Sequence, residues 1–209
     1  MTAELLIGLG LGVWALSSLL LVSAGGGRRR AMQSLSELGL TVVDDSPLNP
    51  QTMTGPRKIA EGTYRGLALV LEDFVAHRPD GSAWPHTRVR AQTTHRIPAF
   101  VLSAHDFDAA EKTEPTHMRA LALGEPLDGR MAAAVQDAHG ETLLRALATQ
   151  SALLAVATTR GRGQVQEITA RNGELEVVLA GMSLAAPQLR AALDTLVLVL
   201  EHTAATADD

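Results

Sequence analysis

The longest apolar stretch of the chain runs from Leu5 to Ala24, and its twenty residues include no charged side chain. A helix rises about 1.5 Å per residue, so a stretch of this length covers roughly 30 Å, the thickness of the hydrocarbon core of a bilayer. Three glycines and then Arg28, Arg29 and Arg30 follow directly. The pattern predicts one membrane-spanning helix that ends at a basic stop signal.

Basic residues lie only on the C-terminal side of this stretch, and this decides its predicted orientation. The positive-inside rule puts the N-terminus outside and the residues from 31 onward in the cytoplasm, as in a single-pass protein of the inner cell membrane. Arg28, Arg29 and Arg30 are then the determinants of topology. The alternative is a signal peptide cleaved after Ala24, which would leave a secreted domain. The lack of Lys and Arg before the stretch favours an uncleaved anchor.

Beyond the anchor, alternating apolar positions predict a β-hairpin. The odd positions of residues 67–71 are all leucine, and the run 86–93 also alternates. If odd positions oppose odd positions, all apolar side chains of the hairpin share one face. The other face would then bring Glu72 close to Arg88 and Arg90, as exposed cross-strand pairs worth at most about 1 kcal/mol.

The remaining patterns predict more strands and two or three helices. Residues 131–137 fit either a strand or a helix. Asn172-Gly173 supplies the positive φ angles that a tight turn needs, so the two strands that flank it should form a second hairpin. The further predicted strands are 97–102, 118–123, 164–170 and 174–180, and the predicted helices are 31–40, 140–156 and 186–202.

The last predicted helix carries leucines at 189, 193, 196 and 200, a spacing of four, three and four residues. Such a stripe could seat a partner helix, but a single short helix is more often packed on its own sheet. The predicted fold class is therefore α+β, with one N-terminal transmembrane helix followed by a mainly antiparallel sheet packed with two or three helices. Residues 1–30 form the anchor and its basic stop, and residues 31–209 form one soluble α+β domain.

Charge and cysteine content narrow the possible partners. The chain has 18 Lys and Arg against 23 Asp and Glu. Without Glu4 and the three arginines after the anchor these become 15 and 22, which gives the soluble part a net charge near −7. This sign argues against nucleic acid as a partner and against a domain that lies flat on an anionic leaflet. The chain has no cysteine, which excludes disulfides, thiolate zinc sites and cysteine nucleophiles.

Three groups of residues together resemble a widespread group of bacterial single-span membrane proteins of uncharacterised activity. They are Gly62, Tyr64 and Gly66 at the opening of a long strand, Ile97, Pro98 and Phe100 in the next one, and the closing amphipathic helix from Pro187. The anchor and its basic stop belong to the same layout, which covers most of the chain. The resemblance implies an architecture and no catalytic or binding residue.

Histidine is the residue type that offers a candidate for chemistry. Four histidines and two aspartates lie on the predicted sheet or its loops, namely His77, His86, His95, His105, Asp106 and Asp108. Imidazole and carboxylate groups could hold zinc or a similar ion. None of the histidine spacings matches a metal-binding motif. No serine lies in a sequence motif that pairs a nucleophile with a general base. The sequence therefore predicts scattered surface histidines, with no catalytic residue, no cofactor and no metal ligand.

The favoured prediction of function is a non-catalytic interaction or assembly domain, held in the cytoplasm by a single-pass membrane anchor. Its expected partners are the lipid bilayer and either another protein or further copies of the chain. A metal-dependent enzyme or sensor built on the sheet histidines is one alternative. A domain secreted after signal-peptide cleavage is the other.

Overall fold

The structure is a computed structural model. It describes residues 32–44, 46, 53, 55–77, 81–94, 96–107, 117–182 and 184–207. Residues 32–37 form the short helix α1. The strands are β1 (Leu40–Val42), β2 (Arg57–Tyr64), β3 (Leu67–His77), β4 (Ala83–Gln92), β5 (Phe100–Ala104), β6 (Arg119–Leu121), β7 (Met131–Val135), β8 (Val165–Arg171) and β9 (Glu174–Ala180). The longer helices are α2 (Ala138–Ala148), α3 (Ser151–Thr158) and α4 (Ala186–Ala207).

The nine described strands form one sheet in the order β1-β2-β3-β4-β9-β8-β5-β7-β6. Neighbouring strands are antiparallel throughout. The two predicted hairpins are confirmed, and they lie side by side because β4 pairs with β9. Leu69 faces Ala91 and Leu71 faces Val89, so odd positions oppose odd positions as predicted. Asn172 and Gly173 have φ angles of 52° and 77°, as the tight turn between β8 and β9 requires.

The residues of the G-x-Y-x-G motif have separate structural roles. A Cβ on Gly62 would lie 2.9 Å from the carbonyl oxygen of Gly39, so only glycine lets β1 pack this closely. Gly66 has a φ of 82° in a tight turn, and this turn divides the single strand predicted there into β2 and β3. Tyr64 donates a hydrogen bond of 2.7 Å to the Asp194 carboxylate, which joins β2 to α4.

One face of the sheet is covered by the helices. The odd positions of β3 and β4 point to this face. The apolar ones among residues 67–71 and 89–91 are buried together with the apolar stripe of α4. Leu189, Leu193 and Leu196 of that stripe are at most 2% exposed. The stripe therefore packs within the domain, which confirms the favoured interpretation of its spacing. The helix continues to Ala207, five residues beyond the predicted end at His202.

The helix predicted over 140–156 is divided in two. Asp137 caps the start of α2 by accepting a hydrogen bond from the Gly140 amide, and the helix ends at Ala148. The chain then turns at Thr149 and Gln150, and α3 begins at Ser151. The ambiguous segment that precedes α2 is the strand β7, which pairs with β5 and β6.

The predicted fold class is wrong in its transmembrane helix. Across the described ranges of the chain, no helix combines the length and the apolar character needed to cross a membrane. The longest of them, α4, has 22 residues, but Arg190, Asp194 and Glu201 interrupt its apolar sequence and its apolar side is packed inward. The segment Leu5–Ala24 and the arginines 28–30 lie outside the described residues. The antiparallel sheet with packed helices is the part of the prediction that the structure contains.

We expect Leu196→Ala to lower the free energy of unfolding by about 2–5 kcal/mol, because it leaves a cavity where the side chain is fully buried between α4 and the sheet. Glu201→Ala, on the exposed side of the same helix, should change it by less than about 0.5 kcal/mol. Urea unfolding followed by circular dichroism measures both changes. Equal effects of the two substitutions would contradict the packing of this stripe on the sheet.

Candidate functional site

The second face of the sheet, which we call the open face, carries the even positions of β3, β4 and β9. It is least covered at the β2 side, where Thr63 and Ala68 are exposed, and becomes buried toward β8 and β5. Polar and charged side chains occupy most of its central positions. A charged residue on the covered face loses its water to the helix layer. Asp73 is an exception to this alternation: it is fully buried at an odd position of β3, where its carboxylate accepts a hydrogen bond of 2.6 Å from the Thr87 hydroxyl.

Two arginines of β4 bind one carboxylate of β3. Glu72 accepts hydrogen bonds from Nε and Nη2 of Arg88 at 3.1 and 2.8 Å, both on its Oε2 atom. Its Oε1 atom accepts a hydrogen bond of 2.5 Å from Nη2 of Arg90. The predicted neighbourhood of these residues is confirmed, but their predicted exposure is wrong, since the Glu72 side chain is only 11% exposed and that of Arg88 16%.

Two glutamates of β9 extend this arrangement across the next strand. Oε1 of Glu174 lies 3.4 Å from Nη1 of Arg90, and Oε2 of Glu176 lies 3.7 Å from Nε of Arg88. We call the five residues Glu72, Arg88, Arg90, Glu174 and Glu176 the charge ladder. Its geometry is fixed by the pairing of β4 with both β3 and β9, so the charges are held in place by the backbone.

Glu176 is the weakest-bound member of the charge ladder, and its protonation differs from that of an ordinary glutamate. Burial raises the pKa of Glu176 to about 7, and the carboxylates of Glu167 and Glu174 act in the same direction. Arg88 and Arg90 lower the pKa but do not compensate for the lost hydration. This carboxyl group therefore changes charge close to neutral pH.

A second, smaller group of buried apolar residues closes the open face beside the charge ladder, with His86 in contact with two of its rings. We call it the apolar cluster, and it consists of Phe74, Ala76, Ala104, Phe107 and Val178. The rings of Phe74 and His86 are stacked with centroids 5.2 Å apart, and the ring of Phe107 meets His86 edge-on at 5.4 Å. The guanidinium carbon of Arg88 lies 5.3 Å from the centre of the Phe74 ring. Because this side of Arg88 faces an aromatic ring, its orientation toward Glu72 is restricted.

On the opposite side of the charge ladder the open face has a shallow depression of about 530 Å³. Ala68 and Val70 form its apolar floor, and Glu61 lies at one side with Arg90 and Glu174 at the other. The depression crosses β2, β3 and β4 and reaches the start of β9, a distance of about 14 Å at the usual spacing of strands. It therefore resembles a contact surface more than the enclosed cleft of a small-molecule site.

The residues singled out in the sequence are not brought together in one site. His77 is exposed at the end of β3, His86 contacts the apolar cluster, and the Nε2 atom of His105 lies 2.9 Å from the carbonyl oxygen of Asp128. Among the residues with described positions there is no group of three His, Cys, Asp or Glu that could hold a metal ion. The topology arginines 28–30, His95 and Asp108 lie outside the described residues.

Sequence reasoning missed Glu174 and Glu176 as members of this site. Their alternation with Leu175 and Val177 was a sufficient signal that they share one face of a strand. What the alternation does not contain is the neighbour of that strand. Either strand of one predicted hairpin could have paired with either strand of the other. Only the β4–β9 pairing brings the glutamates to the arginines.

No protein-family model matches this chain, and no curated protein matches it. Among solved structures, the chain is similar to the crystal structure of the mycobacterial trehalose monomycolate transport factor A, TtfA. The TM-score is 0.44 at 14% sequence identity, and the match covers 85% of this chain and 92% of that one. A similarity of this size establishes neither a shared fold nor a shared activity.

We expect Glu72→Gln to destabilise the protein by about 3 kcal/mol, because it leaves the largely buried Arg88 and the partly buried Arg90 without their shared carboxylate. Glu61→Gln is the matched control on the same face. It removes an exposed pair with Lys58 and should cost less than about 1 kcal/mol. Urea unfolding near pH 8 measures both. Similar small costs for the two variants would show that Arg88 and Arg90 do not depend on the Glu72 carboxylate as their partner.

Glu176 should make the stability of the protein depend on pH. Its pKa rises from about 4.5 unfolded to about 7 folded, so the folded state binds more protons between these values and stability falls as the pH rises through them. Glu176→Gln removes this loss. Relative to the wild type, the variant should gain on the order of 2 kcal/mol between about pH 5 and about pH 8. Parallel stability curves for the two proteins would contradict the raised pKa.

Proposed function

We propose that the domain formed by the described residues is a non-catalytic binding module whose docking surface for a protein partner is the open face. The observation that carries this proposal is the contrast between the two faces of one sheet. The helices and the central strands bury a continuous apolar core on one face, while the β2–β4 part of the other has an apolar-floored depression beside charges in fixed positions. A protein partner can use both features, because interfaces combine a buried apolar centre with oriented charges around it.

The fixed positions of the charges favour binding over a purely structural role. A buried ion pair costs more in lost hydration than well-packed apolar side chains would, so it is a weak source of stability. Holding Arg90 between Glu72 and Glu174 orients its guanidinium group before any partner arrives. Such preorganisation lowers the ordering cost of association.

The location of the module stays a prediction. The sequence before residue 31 predicts that the domain works at the cytoplasmic side of the inner cell membrane, within short reach of the lipid. Reporter fusions after residue 35 and at the C-terminus test this. A reporter that is active only in the cytoplasm should be active at both positions. Activity of a periplasmic reporter at either site would favour the secreted alternative.

Site-specific photo-crosslinking in the native host tests the docking surface. With a photoreactive residue in place of the exposed Ala68 on the open face, we expect a covalent adduct with one partner protein when the chain is at its natural level. The matched control replaces Ala155, which is exposed on α3 at the helix-covered side. Addition of Glu174→Lys to the Ala68 variant should remove the adduct, because it reverses a charge at the side of the depression.

Two results would contradict the proposal. If Ala68 and Ala155 give the same adducts, the open face has no preference over the rest of the surface. If neither position gives an adduct while the chain is folded and at its natural level, the domain does not act through a stable protein contact on this face.

A further inference from the structure

Glu176 lies among charged residues of four described strands, and with Glu176 itself included their carboxylates exceed their guanidinium groups by one. By strand register, β3 contributes Glu72 to this part of the open face, β4 contributes Arg88 and Arg90, β8 contributes Glu167 and Arg171, and β9 contributes Glu174 and Glu176. These are four carboxylates and three guanidinium groups. Glu72 has short contacts with both arginines of β4, whereas the ion pair of Glu176 within the described part of the chain is the 3.7 Å contact with Arg88. Within the charge ladder, Glu176 is therefore the carboxylate whose negative charge, when it is ionised, is least compensated by a nearby guanidinium group.

The depression lies within reach of the Glu176 carboxylate. Val70, Arg90 and Glu176 form one row across β3, β4 and β9, so the apolar floor and the Glu176 carboxylate are two strands, or about 10 Å, apart. The Glu176 side chain is 21% exposed, which leaves it accessible from the open face. A segment that covers the floor can thus extend a long side chain to Glu176.

We infer that the open face binds a partner segment that places one arginine or lysine beside Glu176 and small apolar side chains over Ala68 and Val70. This inference rests on the proposed binding function and specifies the chemistry of the partner. Two observations support it independently: the ion pair of Glu176 with Arg88 is 3.7 Å long, longer than a hydrogen bond, and the neighbouring floor is apolar and shallow. An anionic segment fits less well, because both arginines of the charge ladder already have carboxylate partners.

Binding of a cation at this position is coupled to the protonation of Glu176. The cation prefers the ionised carboxylate, so binding should release a proton and strengthen as the pH rises. Because burial raises the pKa of Glu176 to about 7, roughly a tenth of it is ionised at about pH 6 and most of it at about pH 8. The apparent affinity should therefore increase about tenfold over this interval.

A short peptide serves as the probe, acetyl-Val-Arg-Val-amide, with the full chain in an uncharged detergent. In the control peptide, arginine is replaced by citrulline, a residue of nearly the same shape that has no charge. Nuclear magnetic resonance follows the Glu176 carboxyl carbon and the Val70 methyl groups during titration. The arginine peptide should shift both signals, lower the pKa of Glu176 and bind about tenfold more tightly at the higher pH, while the citrulline peptide should have no effect on that pKa.

Two variants complete the test. Glu176→Gln should remove the pH dependence of peptide binding, whereas Glu201→Gln, exposed on α4, should retain it. The inference is overturned if both peptides bind alike, or if the Glu176→Gln protein keeps the pH dependence. If the arginine peptide fails to bind but the cross-linked adduct at position 68 persists, this inference fails and the proposed function stands. If the adduct at position 68 is also absent, both this inference and the proposed function fail.

Discussion

The pairing of β4 with β3 on one side and β9 on the other is the interaction on which the rest of the structure depends. Side chains alternate between the two faces of a strand. A shift of one residue in either pairing would therefore move the apolar side chains of the shifted strand to the open face and its charged side chains under the helices. In the observed register, Val89 and Ala91 join the leucines of β3 under the helix layer. The same register leaves Arg88 and Arg90 on the open face, opposite Glu72 and beside the glutamates of β9.

This register also explains how a charged cluster can exist in the middle of a sheet. An arginine in a central strand has neighbours on both sides, and each neighbour can offer a carboxylate. Arg90 contacts Glu72 of β3 and Glu174 of β9. Burial lowers the pKa of Arg90, but these carboxylates raise it by more, so the net shift is upward. The guanidinium group stays charged in a poorly hydrated position because its partners are held by the backbone.

Glu176 is the member of the charge ladder that lowers stability at neutral pH. A carboxyl group with a raised pKa is expected at a binding surface. It is partly neutral in the free protein, and a partner that supplies a positive charge stabilises its ionised form. The apolar cluster around His86 and the depression at Ala68 limit the charge ladder on two sides. A partner would therefore meet a narrow charged strip with a small apolar surface next to it.

The sequence by itself determined the local elements of this fold. The odd-position leucines of 67–71, the Asn172-Gly173 turn and the leucine stripe of α4 follow from period-two and period-3.6 patterns, which neighbours in the chain can express. Local patterns also led to errors. They did not contain the turn that separates β2 from β3 or the break between α2 and α3, and they made Glu72 an exposed residue.

Only the tertiary structure decided which hairpins lie side by side and which face the helices cover. Pairing of β4 with β9 joins residues more than eighty positions apart, and periodicity within each strand is the same whichever partner it takes. The raised pKa of Glu176 depends on that pairing, which buries its carboxyl group beside the charged residues of the neighbouring strands. The candidate site could therefore be predicted as separate residues, but its chemistry arises from long-range packing.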